Sequence, residues 1–151
     1  MSSQTRLSDT NDEILKVDRR TRARELAIQC LYQLDIQGSD LLERLDGFFT
    51  ENEPDESICK FARQWCEGTW ENLARCDELI RASTIKWKLS RLSFVDKSIL
   101  RLAVYQLSFC TDIPPRVVIN EAIELAKKFS TEQSPGFVNG VLDAIFKKLK
   151  D

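Results

Sequence analysis

The stretch Ile58–Ile80, ICKFARQWCEGTWENLARCDELI, carries the plainest periodic signal in the chain. Ile58, Phe61, Ala62, Trp65, Cys66, Thr69, Leu73, Cys76 and Ile80 recur at intervals of three and four, which is one face of a 3.6-residue helix. The run contains no proline and shows no period-two alternation. The spacing predicts one long helix with a single apolar face. Such a face is stable only when other elements cover it.

The flanking sequence offers further helices. On the N-terminal side, Asp18 suits an N-cap. After it, Ala23, Leu26, Ala27, Cys30, Leu31 and Leu34 keep helical spacing until Gly38 and Ser39 break the pattern. A short second helix is expected through Leu41, Leu42, Leu45, Phe48 and Phe49, followed by an acidic loop around Pro54. Residues 1–17 read as a flexible tail. On the C-terminal side, a linker near Ser83–Ser90 holds Trp87, a candidate anchor between halves.

A helix over about Val95–Cys110 is apolar on nearly every side except a strip of Lys97, Arg101 and Ser108, so it belongs at the centre of a bundle. Pro114 and Pro115 suit the start of the next helix, which should bury Val118, Ile119, Ala122, Leu125, Ala126 and Phe129. Ser134 and Pro135 open a last helix with Val138, Val141, Leu142, Ile145 and Leu149 on its core face. The expected fold is all-α, about seven helices in two packed subdomains, 18–82 and 83–151.

Composition narrows the function. The 151 residues are 42% hydrophobic and 30% charged, a folded rather than disordered balance. No run approaches the length of a membrane span, and the N-terminus lacks the apolar core of a signal peptide, so a cytoplasmic protein is expected. The net charge of −2 means that nucleic-acid binding would need a local basic patch. The five cysteines form no CxxC pair and histidine is absent, so neither a metal site nor a cofactor is expected, and the commonest general acid–base is missing. The thiols read as reduced core residues. No phosphate loop or nucleophile motif is present, and no enzymatic activity is expected.

Three features point to binding. Lys16, Arg19, Arg20, Arg22 and Arg24 place five cations in nine residues at the opening of a helix. The macrodipole there favours carboxylates, so local stability does not account for the cluster, whereas guanidinium forks suit phosphate oxygens. A solvated charge run fits the pattern equally well. Ile28 and Tyr32 lie opposite the core stripe of the same helix, either as a contact surface or packed on a neighbour. Phe137 lies off the apolar stripe of the last helix, beside its free amides, either as a base-stacking aromatic or as core. The acidic run Asp35–Glu56 would repel RNA and confine binding to another face.

Longer strings carry a family resemblance. LSRLSFVDKSILRLAVYQLSF (89–109), DIPPRVVINEAIELAKKF (112–129) and SPGFVNGVLDAI (134–145) closely resemble the C-terminal half of NusB proteins, and RARELAIQCLYQ (22–33) resembles their arginine-led first helix. The resemblance implies an all-α antitermination factor that binds boxA RNA of ribosomal RNA leaders together with NusE, as part of an RNA polymerase antitermination complex. It carries an RNA edge onto Arg20, Arg22 and Arg24, joined by Arg19, with Tyr32 further along. It also places Phe137 and Gln133 at the RNA surface and Asp96 on the NusE-facing side. Some members self-associate through the arginine-bearing surface, so a homodimer is a further expectation.

This chain departs from the family pattern in places. Thr21 interrupts the arginine run, Ser130 replaces a common glycine, Gln133 stands where an acid is frequent, and Pro135 and Gly136 replace polar or basic positions. Two rival readings are an RNA-positioning domain serving a separate methyltransferase subunit and a protein-interaction module that does not bind RNA.

Overall fold

The computed structural model describes the backbone of residues 2–84 and 89–150, and the side chains of residues 18–84, 89 and 91–150. Trp87, read from sequence as a junction anchor, lies outside the described residues. So does the side chain of Lys16. Among the described residues there are seven α-helices and no strand: α1 (Ser2–Gln37), α2 (Leu45–Asn52), α3 (Glu56–Glu71), α4 (Leu73–Ser83), α5 (Phe94–Phe109), α6 (Pro115–Phe129) and α7 (Ser134–Lys150). Short 3-10 turns at Ser39–Arg44 and Leu89–Arg91 lie between them.

Local chemistry explains most of the boundaries. Gly38 ends α1 in the left-handed region at φ 86°, which costs glycine nothing, and its amide donates to Leu34 O at 2.8 Å. Asp55 caps α3 by accepting from the Ser57 amide at 2.9 Å, and Ser93 caps α5 by accepting from the Asp96 amide at 3.0 Å. Pro115 opens α6.

Three expectations about the elements are corrected. The segment read as a tail is helical, because α1 begins at Ser2. Residues 2–17 contain neither glycine nor proline, and extending an anchored helix is far easier than nucleating one. The single long helix over 58–80 is two. Asn72 breaks it at φ −107°, ψ 23°, and its side-chain amide donates to Gly68 O at 2.8 Å, competing with the helical ladder. The apolar stripe continues in phase across the break, so periodicity alone does not reveal it. The second helix is likewise a 3-10 turn followed by α2.

α5 is central: it packs against α1, α3, α4, α6 and α7. Its Ile99, Leu100, Leu102, Ala103 and Val104 are all buried. α1 lies against α3 and α5, and α6 pairs with α7. Gly68 lets Tyr105 of α5 lie directly on α3, where any Cβ would collide with the ring and hydroxyl. Of the strip expected to be polar on α5, Arg101 is buried and Lys97 and Ser108 are half-buried. Arg101 donates to both Asp77 carboxylate oxygens at 2.8 and 3.0 Å and sits 3.3 Å from Asp35, which also pairs with Lys97 at 3.2 Å. These groups tie α1, α4 and α5 together. Burial works against the Arg101 charge, but the Asp77 and Asp35 contacts outweigh it and raise its pKa. Phe61 and Phe129, expected in the core, are each more than a third exposed.

All five thiols are free, with Cys30, Cys66 and Cys76 buried and Cys59 and Cys110 half-buried. Among the described residues no cluster of three metal-ligating side chains forms, and no helix is long and apolar enough to cross a membrane.

Candidate nucleic-acid interface

The arginines at the opening of α1 do not share one environment, because 100° per residue turns them toward different neighbours. Arg19 is 55% exposed, with a loose contact to Asp55 at 3.8 Å. Arg20 is exposed and pairs with no acid among the described residues. Arg22 keeps 34% of its side chain accessible, yet it is engaged: Nε donates to Glu53 at 3.0 Å, Nη1 to Glu25 at 3.3 Å and Nη2 to the Asn52 carbonyl at 3.1 Å. Partial burial opposes its charge, and the two glutamates overcome this to raise its pKa.

Arg24 is the correction. It is only 3% exposed, its guanidinium lies 5.0 Å from the Trp65 ring centroid, and the nearest carboxylate, Glu121, is 3.9 Å away. Its Nε has no hydrogen-bond partner, and burial lowers its pKa. The helical pitch turns Arg24 inward onto α3, so it offers no fork to a phosphate at the surface. Thr21, which interrupts the arginine run, donates its hydroxyl to Glu121 at 3.1–3.2 Å and so helps dock α1 on α6.

The aromatic residues flank the first turn of α5. Ile28 is buried, the packed alternative of the two left open by its spacing. Tyr32 is half-buried and meets Phe94 edge-on, with centroids 5.9 Å apart. It lines an apolar groove of about 350 Å³ with Gln29, Phe48, Asn52, Val95 and Phe129. Because Asn52 also accepts from Arg22, this groove adjoins the arginine edge.

On the other side of the α5 start, a second groove of about 300 Å³ contains Arg91, Asp96, Gln133 and Phe137. Gln133 is exposed, and Phe137 is half-buried and packs against the core. Asp96 is held firmly. One carboxylate oxygen accepts from Ser130 Oγ at 2.6 Å and the other from Ser134 Oγ at 3.1 Å. Ser130, which departs from the family glycine, therefore fixes the α6–α7 loop onto α5.

Sequence reasoning missed three residues on this surface. Phe94 is 42% exposed beneath the Lys97 ammonium, Phe129 lines the first groove, and Arg91 is an exposed cation at the second. The only signal for Phe94 was its place directly after a capping serine, off the buried stripe. Cations and aromatic faces thus run from the start of α1, past Tyr32 and Phe129, to Phe137. That is the combination single-stranded RNA uses, with phosphates on guanidinium groups and bases on rings.

Comparison with known proteins agrees with the resemblance. The NusB family model matches residues 21–147. The chain is 41% identical over 130 residues to the transcription antitermination protein NusB of Syntrophus aciditrophicus, covering 86% of this chain and 81% of that protein. It is 45% identical over 128 residues to the NusB protein of Anaeromyxobacter dehalogenans, covering 84% and 89%. Among solved structures, T. maritima NusB superimposes with a TM-score of 0.77 at 43% identity, covering 85% of this chain and 91% of that one. A chain in the crystal structure of antitermination factors NusB and NusE in complex with dsRNA matches with a TM-score of 0.78 at 29% identity, covering 87% and 98%.

Proposed function

The chain belongs to the NusB family, and on that basis we propose that it is a transcription antitermination factor that binds boxA-type single-stranded RNA together with NusE. It works in the cytoplasm on ribosomal RNA operons, within an RNA polymerase antitermination complex, and carries out no chemistry of its own. The observation that carries this reading is the run of exposed cations and grooved aromatics from Arg19 and Arg20 through Tyr32 and Phe129 to Gln133 and Phe137.

In this mechanism Arg19, Arg20 and the accessible part of Arg22 hold phosphates and set the register of the strand. Tyr32 and Phe137 receive unstacked bases, and Gln133 offers an amide to a base edge where a carboxylate would repel the backbone. Arg24 acts behind this edge by holding α1 against Trp65. Asp96 lies on the NusE-facing side, where its fixed orientation offers a partner cation a carboxylate with lone pairs to spare. A protein partner seated beside the second groove turns a modest electrostatic affinity into a specific one.

Filter binding of boxA RNA across a salt series tests the RNA reading. Each lost phosphate contact on a single strand should flatten the log K against log salt slope by roughly 0.7. Arg19→Ala and Arg20→Ala should each do so, and Phe137→Ala should weaken binding with little change of slope. Slopes unchanged in both arginine variants would remove RNA from this edge and favour a protein-interaction module. For the partner, Asp96→Asn keeps the shape of the loop and should reduce NusE capture in a pull-down. Full capture would move that interface elsewhere.

A further inference from the structure

We propose that an aromatic and acidic face at the far end of α5, away from the grooves just described, docks a cationic amphipathic segment of a protein partner. On α5 its residues lie about 16 Å (Tyr105) to 22 Å (Phe109) from Phe94, at 1.5 Å per residue. Two tilted ring pairs form it: Phe61 with Trp65 on α3, centroids 5.6 Å apart, and Tyr105 with Phe109 on α5, 5.5 Å apart. In each pair one ring is anchored and the other is open, Phe61 being 40% and Phe109 48% exposed. Phe61, Trp65 and Tyr105 line a cleft of about 440 Å³.

The charges around that cleft decide the class of occupant. Glu67, Glu71 and Asp112 line it, with Arg20 as the one cation among the lining residues. Glu71 and Asp112 are exposed and pair with no cation among the described residues. Glu67 shares Arg63 with Asp46, which leaves that triad net negative. A negative rim around open ring faces attracts guanidinium or ammonium groups, because the ring quadrupole and the carboxylates act in the same direction. Trp65 already takes the Arg24 guanidinium, and Lys97 and Lys150 sit over Phe94 and Phe146, so this chain uses the pairing repeatedly. The same carboxylates repel phosphates, which argues against a second RNA strand.

The test is NMR titration of the full chain with a synthetic amphipathic helix bearing arginine on one face and leucine on the other, alongside a counterpart with glutamate in place of arginine. Shift changes should concentrate at Phe61, Gln64, Tyr105 and Phe109, and the acidic counterpart should leave them in place. The double variant Glu71→Lys/Asp112→Lys should bind the arginine peptide roughly tenfold more weakly. Phe109→Ser, at an exposed position, should also weaken peptide binding while leaving boxA RNA affinity and the thermal midpoint unchanged. Equal binding of the acidic peptide, shifts centred on Asp35–Glu56, or full affinity in the charge-reversed variant would overturn the proposal. So would boxA RNA moving the Phe109 signals, or a concentration-dependent dimer abolished by Phe109→Ser.

Discussion

Arg20 and Arg24 stand four residues apart on α1, yet one guanidinium meets solvent and the other lies under Trp65 with an unbonded Nε. Substitution should separate their roles. Arg24→Met keeps the volume and removes a poorly satisfied buried charge, so it should stay within about 1 kcal/mol of wild-type stability by urea titration. Arg24→Ala also loses the packing of the stem and should cost about 1–3 kcal/mol. Arg20→Ala should leave the urea midpoint in place and flatten the salt dependence of RNA binding. Burial also sets the chemistry of Cys76, whose thiol is pushed from 9.0 up to about 12. The unfolded chain releases this proton first. Its contribution to stability is therefore complete below about pH 9 and is lost progressively toward about pH 12. Urea titrations at about pH 8 and about pH 10 should show a larger loss for wild type than for Cys76→Ala; equal losses would place the thiol in a more open site.

At the scale of elements, the Asp35–Lys97–Arg101–Asp77 group shows why a polar strip need not face water. Arg101 lies on the most enclosed helix, and its fork is matched by carboxylates arriving from α1 and α4. Removing one partner leaves buried charge uncompensated. Arg101→Ala should therefore cost roughly 3–5 kcal/mol, whereas Arg101→Met combined with Asp77→Leu should recover most of that loss in thermal melts. The α3–α4 break teaches a related lesson. Its stripe Ile58–Ile80 is legible as one helix, but Asn72 leaves helical φ/ψ and divides it in two without disturbing the apolar phase. The opposite holds for α6 and α7, whose starts at Pro115 and Ser134 follow from residue chemistry alone.

Across the whole molecule, α5 touches helices of both predicted subdomains, and α4 reaches α7. We propose that 18–82 and 83–151 are packing units of one cooperative body rather than independent domains. Tryptophan fluorescence reports mainly on the first unit through Trp65 and Trp70, and far-UV circular dichroism on all helices. The two urea transitions should therefore coincide. A fluorescence transition that runs ahead of the dichroism would divide the molecule. The net charge of −2 is also unevenly spread. Acids crowd residues 35–56 and the far end of α5, and they border the α1 cations directly: Asp55 meets Arg19, Glu53 meets Arg22, and Arg20 lines the acidic cleft.

The order of residues along the chain was enough to determine that helices form, where most of them start and stop, which stripes are apolar, and that cations gather between Lys16 and Arg24. These are local properties, written in spacing and capping chemistry. Tertiary structure alone decided which arginines remain available, that Ile28 is core, that Phe94 and Phe129 reach the surface, and that Arg101 is an internal ion-pair partner. The physical reason is that a side chain's worth depends on what other helices place against it, and those neighbours lie up to a hundred residues away, as Thr21 and Glu121 do.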